Sequence, residues 1–138
     1  MKLVFASNNK HKLEEVRQIL PTTVTIVSLQ EIGFLQDIDE TGETLEANSE
    51  LKAHAVWNWI SNKEMVDDID GVFADDTGLE IAALSGAPGV RTARWAGDDA
   101  YDINNRKKAL QELEGVNDRR ARFRTVVTLI MSNQEKQV

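Results

Sequence analysis

Residues 2–20 read KLVFASNNKHKLEEVRQIL, and this stretch decides the fold class. The stretch opens with an apolar run at 3–6 that is typical of a buried strand. Polar residues that favour turns and helix caps follow at 7–9. From about Lys10 the hydrophobic period becomes that of a helix, and Pro21 ends the segment. A strand, a polar turn and a helix in this order indicate a protein that mixes strands and helices.

The same alternation continues along the chain, without a repeat or a linker. We expect strands over 23–29 and 121–131 and helices over 44–60 and 102–114. In the helix over 44–60, a stripe that recurs every four residues is expected to face the core, with Lys52 beside its polar border. The stripe consists of Ala47, Leu51, Ala55 and Trp59, and Leu45, Val56 and Ile60 widen it. The sequence therefore predicts one α/β or α+β domain with a mixed central sheet and flanking helices.

The composition excludes several classes of function. The 138 residues include 23 Asp and Glu, 16 Lys and Arg and no Cys, for a formal net charge of −7. The lack of Cys excludes disulfide scaffolds, thiolate zinc sites and cysteine nucleophiles. An acidic chain is a poor partner for nucleic acid, because that binding depends on neutralising many phosphates. No apolar run approaches the roughly 20 residues that cross a bilayer. We therefore expect a soluble, cytoplasmic protein that binds neither nucleic acid nor membrane.

Residues 7–12, SNNKHK, join the first strand to the first helix. Free N–H groups and the positive dipole end at a helix N-terminus bind phosphate, and Lys12 lies one turn inside the helix. The glycines of a P-loop are absent, so this is not a Walker motif. An ordinary Asn cap followed by solvated lysines is the simpler interpretation of the spacing, and His11 is typical of a solvated helix residue. A phosphate site and a plain helix cap both stay open.

Two adjacent carboxylates, Asp75 and Asp76, interrupt an apolar run at 71–74, and apolar alternation resumes over 79–84. Adjacent carboxylates at a strand end repel each other unless a cation or hydrogen-bond donors compensate. Mg²⁺ is the usual compensation, because it takes oxygen ligands and binds phosphate oxygens at the same time. A polar turn is the alternative, since Asp, Thr and Gly all form turns.

Two further charged segments accompany these motifs. The acidic stretch at 37–50 is expected to be mostly solvated loop and helix first turn. One of its carboxylates is a candidate second metal ligand, and Lys52 follows Glu40 by twelve residues and is a candidate to lie across from it. Four arginines at 119–124 are expected to be solvated or paired with the surplus acids rather than bound to RNA.

Together these segments resemble the inosine/xanthosine triphosphate pyrophosphatases, which remove non-standard purine nucleoside triphosphates. The matching motifs are FASNNKHK at 5–12, ETGETLEAN at 40–48 leading to Lys52, ADDTGLE at 74–80, GAPG at 86–89 and ARWAG at 93–97. The resemblance implies two α/β lobes around a nucleotide cleft and a homodimer. It also implies Mg²⁺-dependent hydrolysis of ITP, dITP or XTP to the monophosphate and pyrophosphate.

The resemblance further implies roles for single residues. Asp76 would be metal ligand and proton acceptor for the attacking water, Glu40 a second Mg²⁺ ligand and Asp75 a supporting one. Lys52 would add a cation to the phosphates from the cavity that Lys12 also faces, and Thr77 would touch the substrate. The residues implied to hold the triphosphate are Ser7, Asn8, Asn9, Lys10, His11 and Lys12.

Members of that family continue beyond the strand that ends near Met131, through segments that grip the purine. These segments are not found here. We therefore expect residues 1–138 to form a single pyrophosphatase-like domain that is shortened at its C-terminus, with its last long strand at a sheet edge. A truncated module that binds phosphates or dimerises without catalysis is the alternative function, and a phosphomonoesterase with an aspartyl nucleophile is a third.

Overall fold

The structure is a computed structural model that describes residues 1–97, 102–132 and 136–137. Within these residues the strands form one mixed sheet, as predicted. The strands are β1 (Lys2–Phe5), β2 (Thr25–Val27), β3 (Gly71–Ile81), β4 (Ala121–Met131) and β5 (Lys136–Gln137). Their order across the sheet is β2-β1-β3-β4-β5. The pairs of β1 with β2 and with β3 are parallel, and the pairs of β4 with β3 and with β5 are antiparallel.

Helices cover both faces of this sheet. They are α1 (Lys10–Ile19), α2 (Leu45–Asn62) and α3 (Asp102–Glu112), with 3₁₀ helices at Ala82–Leu84 and Gly89–Arg94. Apolar residues of α2 pack with Val4 and Val72 on one face, whereas those of α1 pack with Leu3 and Phe5 on the other. Because successive residues of a strand point to opposite faces, each strand residue faces either α1 or α2. No helix within the described residues is long and apolar enough to cross a membrane.

The strand β3 corrects the prediction of a break at the two aspartates. Asp75 and Asp76 lie inside one continuous strand, whose residues pair with β4 along their whole length. The polar-turn interpretation is therefore wrong. The alternation expected over 79–84 also ends early, because Ala82–Leu84 is a 3₁₀ helix. The strand expected over 23–29 is shorter as well, at Thr25–Val27.

The core-facing side of α2 agrees only in part with the predicted stripe. Leu45, Val56 and Ile60 are buried as predicted, and Asn48, Ser49 and Ala53 are buried beside them, whereas Leu51 of the predicted stripe is 39% exposed. Two polar residues thus take core positions. Ser49 is satisfied there, because its Oγ lies 2.8 Å from Thr128 Oγ1 and donates to the Ala74 carbonyl at 3.3 Å. Burial with satisfied hydrogen bonds overrides the hydrophobic pattern.

The strand β4 has the predicted bounds, and its arginines pair with acids as expected. Glu80 accepts from Arg122 Nε at 2.7 Å and from Arg124 Nε at 3.1 Å. Arg124 also reaches Glu46 at the start of α2. We expected β4 to be an edge strand, but β5 pairs with it at Leu129 and Ile130 and so covers the end of that edge.

Candidate active site

The two aspartates of β3 face opposite sides of the sheet, because they are consecutive strand residues. Asp75 faces α1, where Lys12 Nζ donates to Asp75 Oδ2 at 2.9 Å. Asp76 faces α2, where Lys52 Nζ lies 3.8 Å from Asp76 Oδ1. The last residue of β1, Phe5, pairs with Phe73, so β1 stops before it reaches either aspartate. The polar turn after β1 therefore lies beside the part of β3 that carries Asp75 and Asp76.

Lys52 joins two carboxylates that come from separate segments. Its Nζ lies 2.9 Å from Glu40 Oε1, in addition to the contact with Asp76, and its side chain is 14% exposed. Lys52 lies on α2, one helical turn after the buried Asn48, and the loop before that helix carries Glu40. The structure thus brings Glu40, Lys52 and Asp76 together, as the family resemblance implies.

Burial dominates the electrostatics of Asp76. The pKa of Asp76 is raised above its usual value, mainly because burial penalises the charged carboxylate. The Lys52 ammonium opposes this shift, the Glu40 charge adds to it, and side-chain hydrogen bonding with Asn48 lowers the pKa again. A carboxyl whose pKa moves toward neutrality is suited to accept a proton at physiological pH.

One oxygen of each aspartate is buried without a hydrogen-bond partner among the described residues. These atoms are Asp75 Oδ1 and Asp76 Oδ2. An unsatisfied buried carboxylate oxygen is costly, and such groups occur where a ligand or ion completes them.

The donor set fits a hard divalent ion that is completed by a ligand. In the described ranges, no group of three or more His, Asp or Glu side chains stands ready to hold a metal ion. Mg²⁺ is, however, commonly held by one or two carboxylates together with substrate phosphates. Glu40 and Asp76 already share one cation, the Lys52 ammonium, and Asp76 keeps a buried oxygen free of hydrogen bonds within the described chain.

The expected single cavity for both lysines is wrong. A cavity of about 480 Å³ is lined by Ser7, Asn8, Glu40 and Lys52 among others. Lys12 instead lines a groove of about 510 Å³ on the α1 face, which is mostly apolar. The two lysines are separated because each pairs with one aspartate, and the alternation of β3 points these aspartates to opposite faces.

The turn after β1 acts as a helix cap in this structure. Asn9 Oδ1 accepts from the Lys12 backbone N–H at 3.1 Å, and Ser7 Oγ accepts from the Asn9 N–H at 3.1 Å. Lys10 and His11 are exposed on the first turn of α1. The turn therefore forms the plain helix cap. Of its residues, only Ser7 and Asn8 line the cavity that Glu40 and Lys52 also line.

The hydroxyl of Thr77 faces the same side of β3 as Asp75. It lies 2.8 Å from the hydroxyl of Thr125 on β4, and both residues line the groove on the α1 face. Thr77 is thus beside the pair formed by Lys12 and Asp75.

Sequence reasoning missed Asn48 and Gly42. Asn48 is 3% exposed, and its Oδ1 accepts from the Gly42 backbone N–H at 2.7 Å. A Cβ at Gly42 would lie 2.6 Å from that oxygen, so a residue without a side chain is required there. One signal was available, because Asn48 precedes Lys52 by four residues and thus shares its helix face.

Curated relatives match nearly the whole of this chain. It is 44% identical over 135 residues to a dITP/XTP pyrophosphatase of Flavobacterium johnsoniae, which covers 98% of this chain and 66% of that relative. It is 48% identical over 132 residues to a dITP/XTP pyrophosphatase of Porphyromonas gingivalis, which covers 94% of this chain and 63% of that relative. The chain thus spans about two thirds of the length of these relatives.

Solved structures share the fold. The Staphylococcus aureus Ham1 protein superposes with a TM-score of 0.84 at 34% identity, over 99% of this chain and 67% of that one. A HAM1 protein from Coxiella burnetii gives a TM-score of 0.83 at 32% identity, over 99% and 68% of the two chains. A sequence profile of the Ham1 family matches residues 3–138. The fold, the motifs and this match over almost the whole chain lead to one conclusion: the chain belongs to the Ham1 family.

Proposed function

We propose that the chain hydrolyses non-standard purine nucleoside triphosphates, such as ITP, dITP and XTP, to the monophosphate and pyrophosphate. The observation that carries this proposal is the contact of Lys52 with both Glu40 and Asp76. Lys52 and Glu40 also line a cavity together with Ser7 and Asn8. The substrate class follows relatives that are named dITP/XTP pyrophosphatases.

Mg²⁺ is the proposed cofactor, with Glu40 and Asp76 as its ligands and Asp75 in support. The fit of Glu40 and Asp76 rests on the Lys52 cation that they share and on the buried Asp76 Oδ2, which has no hydrogen-bond partner within the described chain. When bound, the ion neutralises phosphate charge and makes water a better nucleophile.

Asp76 is the proposed proton acceptor for the attacking water. Its carboxylate faces the α2 side of the sheet, and burial raises its pKa toward the range in which a general base is effective. Lys52 opposes this rise, because its ammonium favours the charged carboxylate, which is the form that can take a proton.

The triphosphate is proposed to rest on the turn after β1. Backbone N–H groups at the start of α1 and the positive end of its dipole favour an anion there, with Lys10 and His11 on the same turn. Lys52 would pair with the phosphates from the α2 side and Lys12 from the α1 side, with Thr77 next to Lys12. In this arrangement the triphosphate passes from the α2 side of β3 to the α1 side, just beyond the end of β1. The residues proposed to hold the tail directly are Ser7, Asn8, Asn9, Lys10, His11 and Lys12.

A homodimer and a cytoplasmic location are part of the same proposal. Exposed apolar side chains on the α1 face of the sheet, Phe123 at 73% and Val127 at 46%, give a second copy an apolar surface to contact. Light scattering of the purified chain measures the assembly directly, and a monomer across the micromolar range contradicts the dimer.

The experiment is to incubate the purified chain with dITP or ATP, with and without Mg²⁺, and to follow products by ³¹P NMR. We expect pyrophosphate and monophosphate from dITP, with a strict need for Mg²⁺. Orthophosphate as the first product contradicts the proposal. Binding of tripolyphosphate without any turnover instead supports the non-catalytic module.

A further inference from the structure

Asn48 is a buried polar residue that has no role in the proposed reaction. It occupies the core-facing side of α2 with 3% of its surface exposed. Buried amides are retained in proteins where their hydrogen bonds are made, because an unsatisfied one is costly. The partners of Asn48 therefore indicate what the residue does.

The Asn48 amide acts on two different segments. The oxygen accepts from the Gly42 N–H at 2.7 Å. Side-chain hydrogen bonding with Asn48 is also among the causes that lower the pKa of Asp76. An amide carries one oxygen that accepts and one nitrogen that donates. With the oxygen committed to Gly42, the nitrogen is the group that can serve the Asp76 carboxylate.

These two segments are the ones that supply the proposed metal ligands. Gly42 lies two residues after Glu40 in the loop before α2, and Asp76 lies in β3. Lys52, one helical turn after Asn48, contacts the same two carboxylates. A cation at Lys52 attracts both acids but fixes no direction, whereas an amide fixes direction through its donor and its acceptor.

The close approach at Gly42 shows that this contact is built into the fold. A Cβ on Gly42 would lie 2.6 Å from Asn48 Oδ1, 2.7 Å from Ala47 Cβ and 3.0 Å from the Asn48 backbone nitrogen. Any side chain at position 42 would therefore push the loop away from α2 and lengthen the hydrogen bond.

We propose that Asn48 is a positioning residue that fastens the Glu40 loop to α2 and so sets the separation of Glu40 and Asp76 for a divalent ion. The inference rests on the metal site of the proposed function. Residues that orient metal ligands without binding the metal themselves typically lower metal affinity by about 10- to 100-fold when they are removed.

The test uses two variants that break the same hydrogen bond from opposite sides. Asn48→Leu removes the amide but keeps a side chain of similar size, and Gly42→Ala displaces the loop without changing α2. Ser49→Ala is the matched control, because Ser49 is the adjacent buried polar residue of α2 and bonds to Ala74 and Thr128 instead. Binding of Mn²⁺ is measured by electron paramagnetic resonance without nucleotide, and thermal unfolding is recorded for each protein.

We expect both Asn48→Leu and Gly42→Ala to weaken Mn²⁺ binding by tenfold or more. Ser49→Ala is expected to lower the melting temperature while leaving Mn²⁺ binding within twofold of the wild type. If either of the first two variants is folded and binds Mn²⁺ as the wild type does, the inference is overturned. A wild-type chain that binds no Mn²⁺ also overturns it.

The same data separate this inference from the proposed function. A wild-type chain that binds Mn²⁺, with the expected losses in the variants, supports the role of Asn48 even if no pyrophosphate is released. A chain that releases pyrophosphate, but whose Asn48→Leu variant keeps full metal affinity, retains the function and loses the inference.

Discussion

The Lys52 ammonium lies 2.9 Å from Glu40 Oε1. A lysine proposed to bind the substrate phosphates is thus paired with a proposed metal ligand. Lys12 and Asp75 repeat this relationship on the other face of the sheet, also at 2.9 Å. Without ligands, each lysine thus neutralises a carboxylate. We expect substrate and metal to exchange these partners, the carboxylates passing to the ion and the lysines to the phosphates.

Thermal stabilisation by Mg²⁺ is expected to depend on Glu40. A ligand that binds only the folded state adds about 2.7 kcal/mol at 100 times its Kd. Glu40→Gln removes one proposed ligand, and therefore most of the Mg²⁺-induced rise in melting temperature should disappear. Glu43→Gln, an exposed acid of the same loop, is the control and should respond as the wild type. Equal responses of both variants would remove Glu40 from the metal site.

Loss of the Lys52 charge is expected to impair turnover strongly. Removal of one group that stabilises transition-state charge typically costs about 10²- to 10³-fold in rate. We therefore expect kcat/KM of Lys52→Met for dITP to fall by about 10²-fold or more. Lys107→Met on the exposed side of α3 should keep wild-type kinetics. A loss below threefold for Lys52→Met would show that another cation carries the phosphates.

Asp76 is expected to make the metal-free chain less stable at neutral pH. Because its pKa is raised in the folded state, the folded chain binds this proton more tightly than the unfolded chain does. Stability then falls as the pH rises from the unfolded pKa, 3.8, through the raised folded value.

Asp76→Asn should therefore melt at a higher temperature than the wild type at pH 7 in EDTA. The difference should shrink as the pH is lowered toward about 4, where the unfolded chain also becomes protonated. The variant should also lose turnover. A melting temperature equal to or below that of the wild type at pH 7 would mean that burial of this charge carries no cost.

Gly78 is required by a close backbone approach two residues after Asp76. A Cβ at this position would lie 2.5 Å from the Gly89 carbonyl oxygen and 2.9 Å from its carbon. The segment that would have to move is held in place, because Thr92 Oγ1 accepts from the Leu79 N–H at 2.8 Å. We expect Gly78→Ala to lower the free energy of unfolding in urea by about 1–3 kcal/mol. A change within about 0.5 kcal/mol, as surface substitutions give, would refute the steric account.

The sequence was most informative where a pattern is local. The bounds of β4 follow from alternation, and the cap of α1 is Asn9, within the turn at 7–9 where capping residues were predicted. The contact of Glu40 with Lys52 was expected from the motifs. These features depend on residues that are close along the chain or fixed in spacing.

Long-range pairing and buried polar groups were not accessible in the same way. The continuity of β3 depends on β4, some fifty residues away, and no local signal shows that Asp76 pairs with Val126. The buried face of α2 was predicted only in part, because Asn48 and Ser49 look like surface residues until their partners are known. The separation of Lys12 from Lys52 was missed because the continuity of β3 was missed. Only a continuous strand points Asp75 and Asp76 to opposite faces of the sheet.

The most direct test of the central claim is hydrolysis of dITP in water enriched in ¹⁸O, with the label located by mass spectrometry. Attack by a water that Asp76 deprotonates is proposed to occur at the α-phosphorus. We expect one ¹⁸O atom in the nucleoside monophosphate and none in the pyrophosphate, with no labelled product from Asp76→Asn. Label in the pyrophosphate, or full activity of that variant, would contradict the account.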